Sequence, residues 1–343
     1  MLQGNIQLTC QPLSLTSSRP FQLQQKMLEG KPLQQLPDLI GLIYGLCQQA
    51  QSSASQLLLG FAEPETTALP NEQVIRVELI KEHLVSVAGL VFPVLGVAGS
   101  DQLLAGIGLW VAKAKQGNDV SALRSQIEQK LTLLLGEQWR VLAQAVGVED
   151  AITRLKSVAH DSAFLQALAQ AKAEFPLAPL PTLTIGSVYQ DSVIDELLAR
   201  FLSEKWQLVT QPDINGQVME NSPMTRLGWQ DQADLHPLWL RQLARVVDIA
   251  QQTMMLLGEC DQSPLYHRVQ KGQMGLSWVE TARGRLFHLA RWDEQGIAVD
   301  YAIIAPTEWN FHPQGMVQKW LQKWQSSGMA ETIFAKESMA LSQ

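Results

Sequence analysis

The run LSWVETARGRLFHLARWDEQGIAVDYAIIA, residues 276–305, decides the fold class of this chain. It is rich in β-branched and aromatic residues from Leu276 to Trp292 and again from Ile297 to Ala305, the composition of a pleated surface. Between the two parts, Asp293-Glu294-Gln295-Gly296 supplies turn residues closing on a glycine, so the run reads as a hairpin. Arg283-Gly284 interrupts the first arm. A glycine inside a strand marks a bulge or the close approach of another group. The arginine beside it is placed to hold an anion through forked hydrogen bonds, the alternative being an exposed strand arginine. The second arm runs into Pro306-Thr307, which is either a hydroxyl with backbone amides at a strand end or an ordinary exit into a loop.

The rest of the chain has helical texture. Asn5–Leu15 alternates loosely enough for a strand before Arg19-Pro20 breaks it. Phe21–Leu28 is a short helix stopped by Gly30. A helix beginning at Leu36-Pro37-Asp38 carries Leu39, Ile40, Ile43, Leu46 and Cys47 inward and runs toward Leu59. Further helices are expected from Glu72, over Ser121–Ala145, as a pair over Asp150–Ala173, over Asp234–Leu257 and over Met316–Gln325. The sum is an α+β arrangement, a mostly helical body with a small antiparallel sheet that includes the C-terminal hairpin. It reads as a single domain over residues 1–343. Phe175–Pro181, with three prolines, is its best internal linker.

Composition narrows the function. With 26 basic against 33 acidic residues the formal charge is −7, and no cationic run exists, which argues against general nucleic-acid binding. Leu84–Gly99 is free of charge but falls short of the roughly 20 residues a bilayer requires and contains Pro93, so buried helices are expected rather than membrane insertion. No basic start followed by an apolar run opens the chain. Three widely spaced cysteines, Cys10, Cys47 and Cys260, make neither a disulfide framework nor a zinc knuckle and read as reduced thiols of a cytoplasmic protein.

Cys47 by itself is ambiguous. A free cysteine on an apolar helix face is as a rule a small buried hydrophobe, and a nucleophile needs a base beside it. None of the six histidines offers a partner at the level of sequence. His83 sits in an apolar helix as a satisfied core residue, while His288 and His312 flank the hairpin's second strand and are expected to face solvent.

Taken together these segments resemble the large subunit of nickel-iron hydrogenases. Glu280-Thr281-Ala282-Arg283-Gly284 is similar to that family's Glu-Ala-Pro-Arg-Gly element. Ile303-Ile304-Ala305-Pro306-Thr307-Glu308-Trp309-Asn310 is similar to its Val-Val-Pro-Thr-Thr-Trp-Asn. The stretch from Pro20-Phe21 through Gly30 to Cys47 parallels the run into Arg-Ile-Cys-Gly-Val-Cys-x-x-x-His. The departures are selective. Leu42 replaces the arginine, Tyr44 the first cysteine and Gln51 the histidine, and the closing Asp-Pro-Cys-x-x-Cys-x-x-His is absent.

The resemblance implies that one of four nickel-binding thiolates is left, too few for a soft cation, so neither nickel nor hydrogenase activity is expected. It further implies that Cys47 is an iron ligand and that Arg283, Pro306 and Thr307 belong to the shell around iron-bound cyanide and carbon monoxide. Loss of nickel ligands with retention of that shell is the pattern of the accessory proteins called HupK or HoxV. The implied role is a cytoplasmic maturation scaffold carrying the iron-dicyano-carbonyl unit, Fe(CN)2CO, transiently. Its partners would be the hydrogenase large-subunit precursor and Hyp-type maturation proteins. A chaperone that mimics the large subunit without metal, and a degenerate subunit of a respiratory complex, are the alternatives.

Overall fold

The computed structural model describes residues 6–10, 13–45, 47–65, 67–117, 120–174, 186–232 and 234–327. The expected linker at 175–181 lies outside them. The chain divides into two compact units, each assembled from separate segments.

The first unit comprises Met1–Ile75, Ile185–Ser222 and Pro264–Gln322. It opens with β1 (Ile6–Cys10) and β2 (Leu13–Ser17), paired antiparallel, where one strand was expected. Three helices follow, α1 (Phe21–Leu28), α2 (Leu36–Ile43) and α3 (Gln48–Ala62). Gly30 stops the first as the sequence predicts, with a φ of 76° that suits glycine. Two short strands, β3 (Gly186–Ser187) and β4 (Met219–Glu220), pair in parallel on either side of the helix Asp191–Thr210.

The hairpin of the sequence is part of a larger meander. Strands β5 (Tyr266–Lys271), β6 (Met274–Thr281), β7 (Gly284–Trp292) and β8 (Ala298–Ile304) form a four-stranded antiparallel sheet in that order. Asp293–Gly296 makes the expected turn between β7 and β8, with the Gly296 N–H donating to the Asp293 carbonyl. The interruption at Arg283-Gly284 is different from the expected bulge. Thr281 pairs with Gly284, so Ala282-Arg283 is a two-residue turn between two strands.

Both faces of this sheet are covered. Leu276, Phe287, Leu289 and Ile304 pack into a core with Val193, Leu197 and Phe201 of the helix Asp191–Thr210. Ala290, Trp292, Ala298 and Tyr301 face the opposite way, into a core with Leu28, Leu36, Ile40 and Leu58 of α1–α3. The alternation along β7 is the period of two of a strand, with both faces apolar because both are buried. His288 falls on the face covered by α1–α3 and is fully buried, and His312 is 6% exposed, so neither faces solvent as expected. The pattern of β7, apolar on both sides of His288, already carried that information.

The second unit comprises Arg76–Thr184, Pro223–Ser263 and Lys323–Gln343 and is helical in its described secondary structure. Its centre is the helix Pro237–Leu257, most of whose residues are buried. His83 is a core residue as expected, hydrogen-bonded to Asp248 at 2.8 Å, and Asp248 also pairs with Arg226 at 2.6 Å. The long helix expected over Ser121–Ala145 breaks into Val120–Leu135 and Trp139–Ala143. Gly136, at φ 81°, packs against Asp161 where a Cβ would stand. No described helix is long and apolar enough to cross a membrane.

Candidate functional site

Cys47 does not ride on a continuous helix. The Tyr44 N–H closes α2 on the Ile40 carbonyl, and the Cys47 carbonyl accepts from the Gln51 N–H to open α3. Between them Tyr44 is extended and Cys47 is left-handed, at φ 46° and ψ 40°. A non-glycine residue in that region is strained by about 1–2 kcal/mol, a strain typical of sites the surrounding structure holds in place. Gly45, a poor helix former beside Tyr44, was the local sign of the break.

The break is anchored from behind. Gln51, one turn into α3, is buried and pairs with His288 Nε2 at 2.8 Å, while His288 Nδ1 pairs with the Tyr301 hydroxyl at 2.8 Å. Tyr301 in turn hydrogen-bonds Ser55, one further turn along α3. Burial pushes the His288 imidazole down to about 3, so it is neutral and serves as one donor and one acceptor. This chain fixes α3 to β7 and β8, and with it the position of Cys47.

Arg283 comes from the β6–β7 turn. Its Nη2 lies 3.5 Å from Cys47 Sγ, and among the described residues it makes no ion pair with a carboxylate. The turn is clamped by Asn221. The Asn221 side chain accepts from the Arg285 N–H at 2.6 Å and donates to the Arg285 carbonyl at 2.7 Å. Gly284, at φ 131°, has Asn221 where any Cβ would stand, so the expected close approach at this glycine is real even though the bulge is not. Asn221 is also locked to Asn310, main chain to side chain in both directions, at 2.9 and 2.7 Å. Asn310 belongs to the short helix Pro306–Asn310 that follows β8. One asparagine therefore ties the turn bearing Arg283 to the segment bearing Thr307.

Pro306 is buried at the first position of that helix, where its missing N–H leaves nothing unsatisfied. Among the described residues the Thr307 hydroxyl is hydrogen-bonded to neither Cys47 nor Arg283; it accepts from Arg19 Nη1 at 2.7 Å. Arg19, which sequence reading passed over, also pairs with Glu308. Burial and then the charge of Arg283 hold the Arg19 guanidinium below its ordinary range, while Tyr44 and Cys47 act the other way. Burial chiefly, with the charge of Cys47, raises the Tyr44 phenol, keeping it neutral. The site is thus a thiol beside the Arg283 guanidinium, with the charge of Arg19 and the Tyr44 phenol coupled to it and the Thr307 hydroxyl held by Arg19. One soft ligand and anion donors suit an anionic metal fragment that brings its own ligands. Among the described residues no group of three or more His, Cys, Asp or Glu gathers as a complete metal-binding set.

No protein-family model matches the chain. By structure it is similar to the NAD+-reducing NiFe hydrogenase in its H2-reduced state, with a TM-score of 0.53 at 14% identity, over 99% of this chain and 93% of that one. The fold is that of the nickel-iron hydrogenase large subunit. By sequence, the curated relatives of the chain are hydrogenase expression/formation proteins named HoxV and HupK. It is 34% identical over 163 residues to HoxV of Cupriavidus necator, which covers 44% of this chain and 40% of that protein. It is 24% identical over 312 residues to HupK of Bradyrhizobium diazoefficiens, covering 84% and 78%.

Proposed function

We propose that the protein is an accessory factor of hydrogenase maturation that carries the Fe(CN)2CO unit as cargo on Cys47 and passes it on. The observation that carries this reading is the approach of Arg283 to the Cys47 sulfur at 3.5 Å, with no carboxylate on that guanidinium among the described residues. The thiolate would ligate iron, and Arg283 would donate to a cyanide nitrogen, an anionic acceptor that suits a charged fork. The Thr307 hydroxyl is the nearby candidate donor for the second cyanide. A single thiolate anchors weakly, as a carrier requires, and a thiolate of the recipient would complete the iron's coordination.

The relatives' names support a place in hydrogenase maturation. The large-subunit fold supports docking, in the cytoplasm, with the partners of the large-subunit precursor, the Hyp-type maturation proteins among them. Nickel has no place in this proposal.

Anaerobic purification from cells with an active maturation system, followed by infrared spectroscopy, tests the reading. Cyanide and carbonyl stretches are expected in the wild-type protein and absent from Cys47→Ala. Their absence from the wild type, or bands indifferent to Cys47→Ala, would overturn it. A Cys47→Ala variant that still restores hydrogenase maturation in full would instead establish a metal-free chaperone.

A further inference from the structure

Arg19 and Glu308 form an ion pair on the Thr307 side of the candidate site. The Glu308 side chain is 7% exposed and that of Arg19 24%, so both charges are largely out of water. Among the described residues Glu308 has two polar partners, the Arg19 guanidinium and the Thr307 hydroxyl, the latter at 3.3 Å. Where the hydrogenase element quoted above carries a second threonine, this chain has the carboxylate. Among the described residues, Arg283 at 3.5 Å from the Cys47 sulfur and Arg19, whose charge acts on both, are met by one carboxylate, which leaves a positive charge for a ligand to meet.

The geometry points to Glu308 as a resident counter-anion that competes with the ligand for Arg19, making Arg19 and Arg283 the two arms of a clamp for a small anion at Cys47. An arriving anion accepts from Arg283 directly. To gain the second arm it must displace the carboxylate from Arg19. Separating a buried pair is unfavourable, so the competition weakens binding. A site built this way accepts an anion and also lets it go. The inference rests on the carrier reading for the identity of the natural ligand, a cyanide-bearing iron fragment, but the clamp itself answers to a simpler probe.

That probe is thiocyanate, a linear anion whose C≡N stretch reports its surroundings. It is titrated into the full-length protein, made without a maturation system and followed by infrared spectroscopy and calorimetry. Glu308→Gln, which keeps the shape and removes the charge, is expected to bind thiocyanate at least fivefold more tightly than the wild type. Arg19→Gln should bind more weakly. In the double variant Arg19→Gln/Glu308→Gln the gain from Glu308→Gln should shrink to less than twofold, because Glu308 acts through Arg19. Arg19→Lys serves as the folded reference that keeps the charge, and each variant is compared at matched circular dichroism. No binding to Glu308→Gln, an affinity equal to or below the wild type, or a gain that persists without Arg19 would overturn the inference.

The two readings fail separately. Missing iron-cyanide bands with an intact Arg19–Glu308 coupling sink the carrier and leave the clamp. Bands present without the coupling sink the clamp and leave the carrier.

Discussion

The guanidinium of Arg283 reaches to 3.5 Å from the sulfur of Cys47 across 236 residues of sequence. Each residue is held by its own rigid support, Cys47 by the break between α2 and α3, and Arg283 by the Asn221-clamped turn of the sheet. A guanidinium beside a sulfur stabilises negative charge there, and its fork adds direction that an ammonium lacks. Arg283→Lys keeps the charge and loses the fork. If the site carries the dicyano-iron unit, this variant should retain the cargo partly and shift its cyanide stretches, whereas Arg283→Ala should lose most of it. Unshifted cyanide bands in both variants would remove Arg283 from the site.

Gly284 carries a second prediction. Its φ of 131° lies outside the range open to side chains, and Asn221 fills the space of a Cβ. Gly284→Ala should therefore destabilise the protein by about 3 kcal/mol, the scale of strain combined with overpacking. Urea unfolding at matched m-value checks it. A loss under about 1 kcal/mol would show that the turn relaxes without the clamp.

The left-handed backbone of Cys47 makes an unusual expectation for a thiol. Cys47→Gly should be more stable than Cys47→Ala by about 1 kcal/mol, because only glycine takes that conformation without a steric penalty. Equal unfolding midpoints for the two variants would argue that the strain is absent.

His288 sets a pH dependence. Its folded value lies near 3 because burial disfavours the charged ring, while an unfolded histidine titrates near 6.5. Between those values the unfolded state holds a proton that the folded state does not. The stabilisation is therefore complete above about pH 6.5 and is lost progressively as the pH falls toward about 3. From pH 7.5 to pH 5 this residue should account for about 2 kcal/mol of lost stability. His288→Gln does not titrate, so its unfolding free energy should fall by that much less over the same interval. Parallel curves for the two proteins would contradict the assignment.

The sheet and most helices were legible in the sequence, since the switch from a period of 3.6 to runs of β-branched and aromatic residues is a local signal. Three features were not. The turn at Ala282-Arg283 was marked in the sequence by Gly284 alone, which reads equally as a bulge within one strand; the turn is fixed by Asn221, 64 residues away, through tertiary contact. The end of α2 was hidden because Leu39 to Leu46 keeps an apolar, helix-compatible spacing, with Gly45 as the one contrary sign. Arg19 and Glu308 are ordinary polar residues in their own neighbourhoods and gain meaning from a partner 289 positions distant. Cys47, Arg283 and Thr307 could be singled out because motifs marked them, but their mutual geometry could not.

The site draws on chain segments around residues 19, 47, 283 and 307, and the Arg19–Thr307 contact closes a loop of 288 residues. Closure over such a separation comes late, after the intervening chain has been made and folded. Until the meander and the segment after it are made, the thiol lacks the Arg283 guanidinium, and Arg19 lacks its contacts to Thr307 and Glu308. The full set of groups around Cys47 therefore comes together only once the last strand of the sheet and the short helix after it are in place.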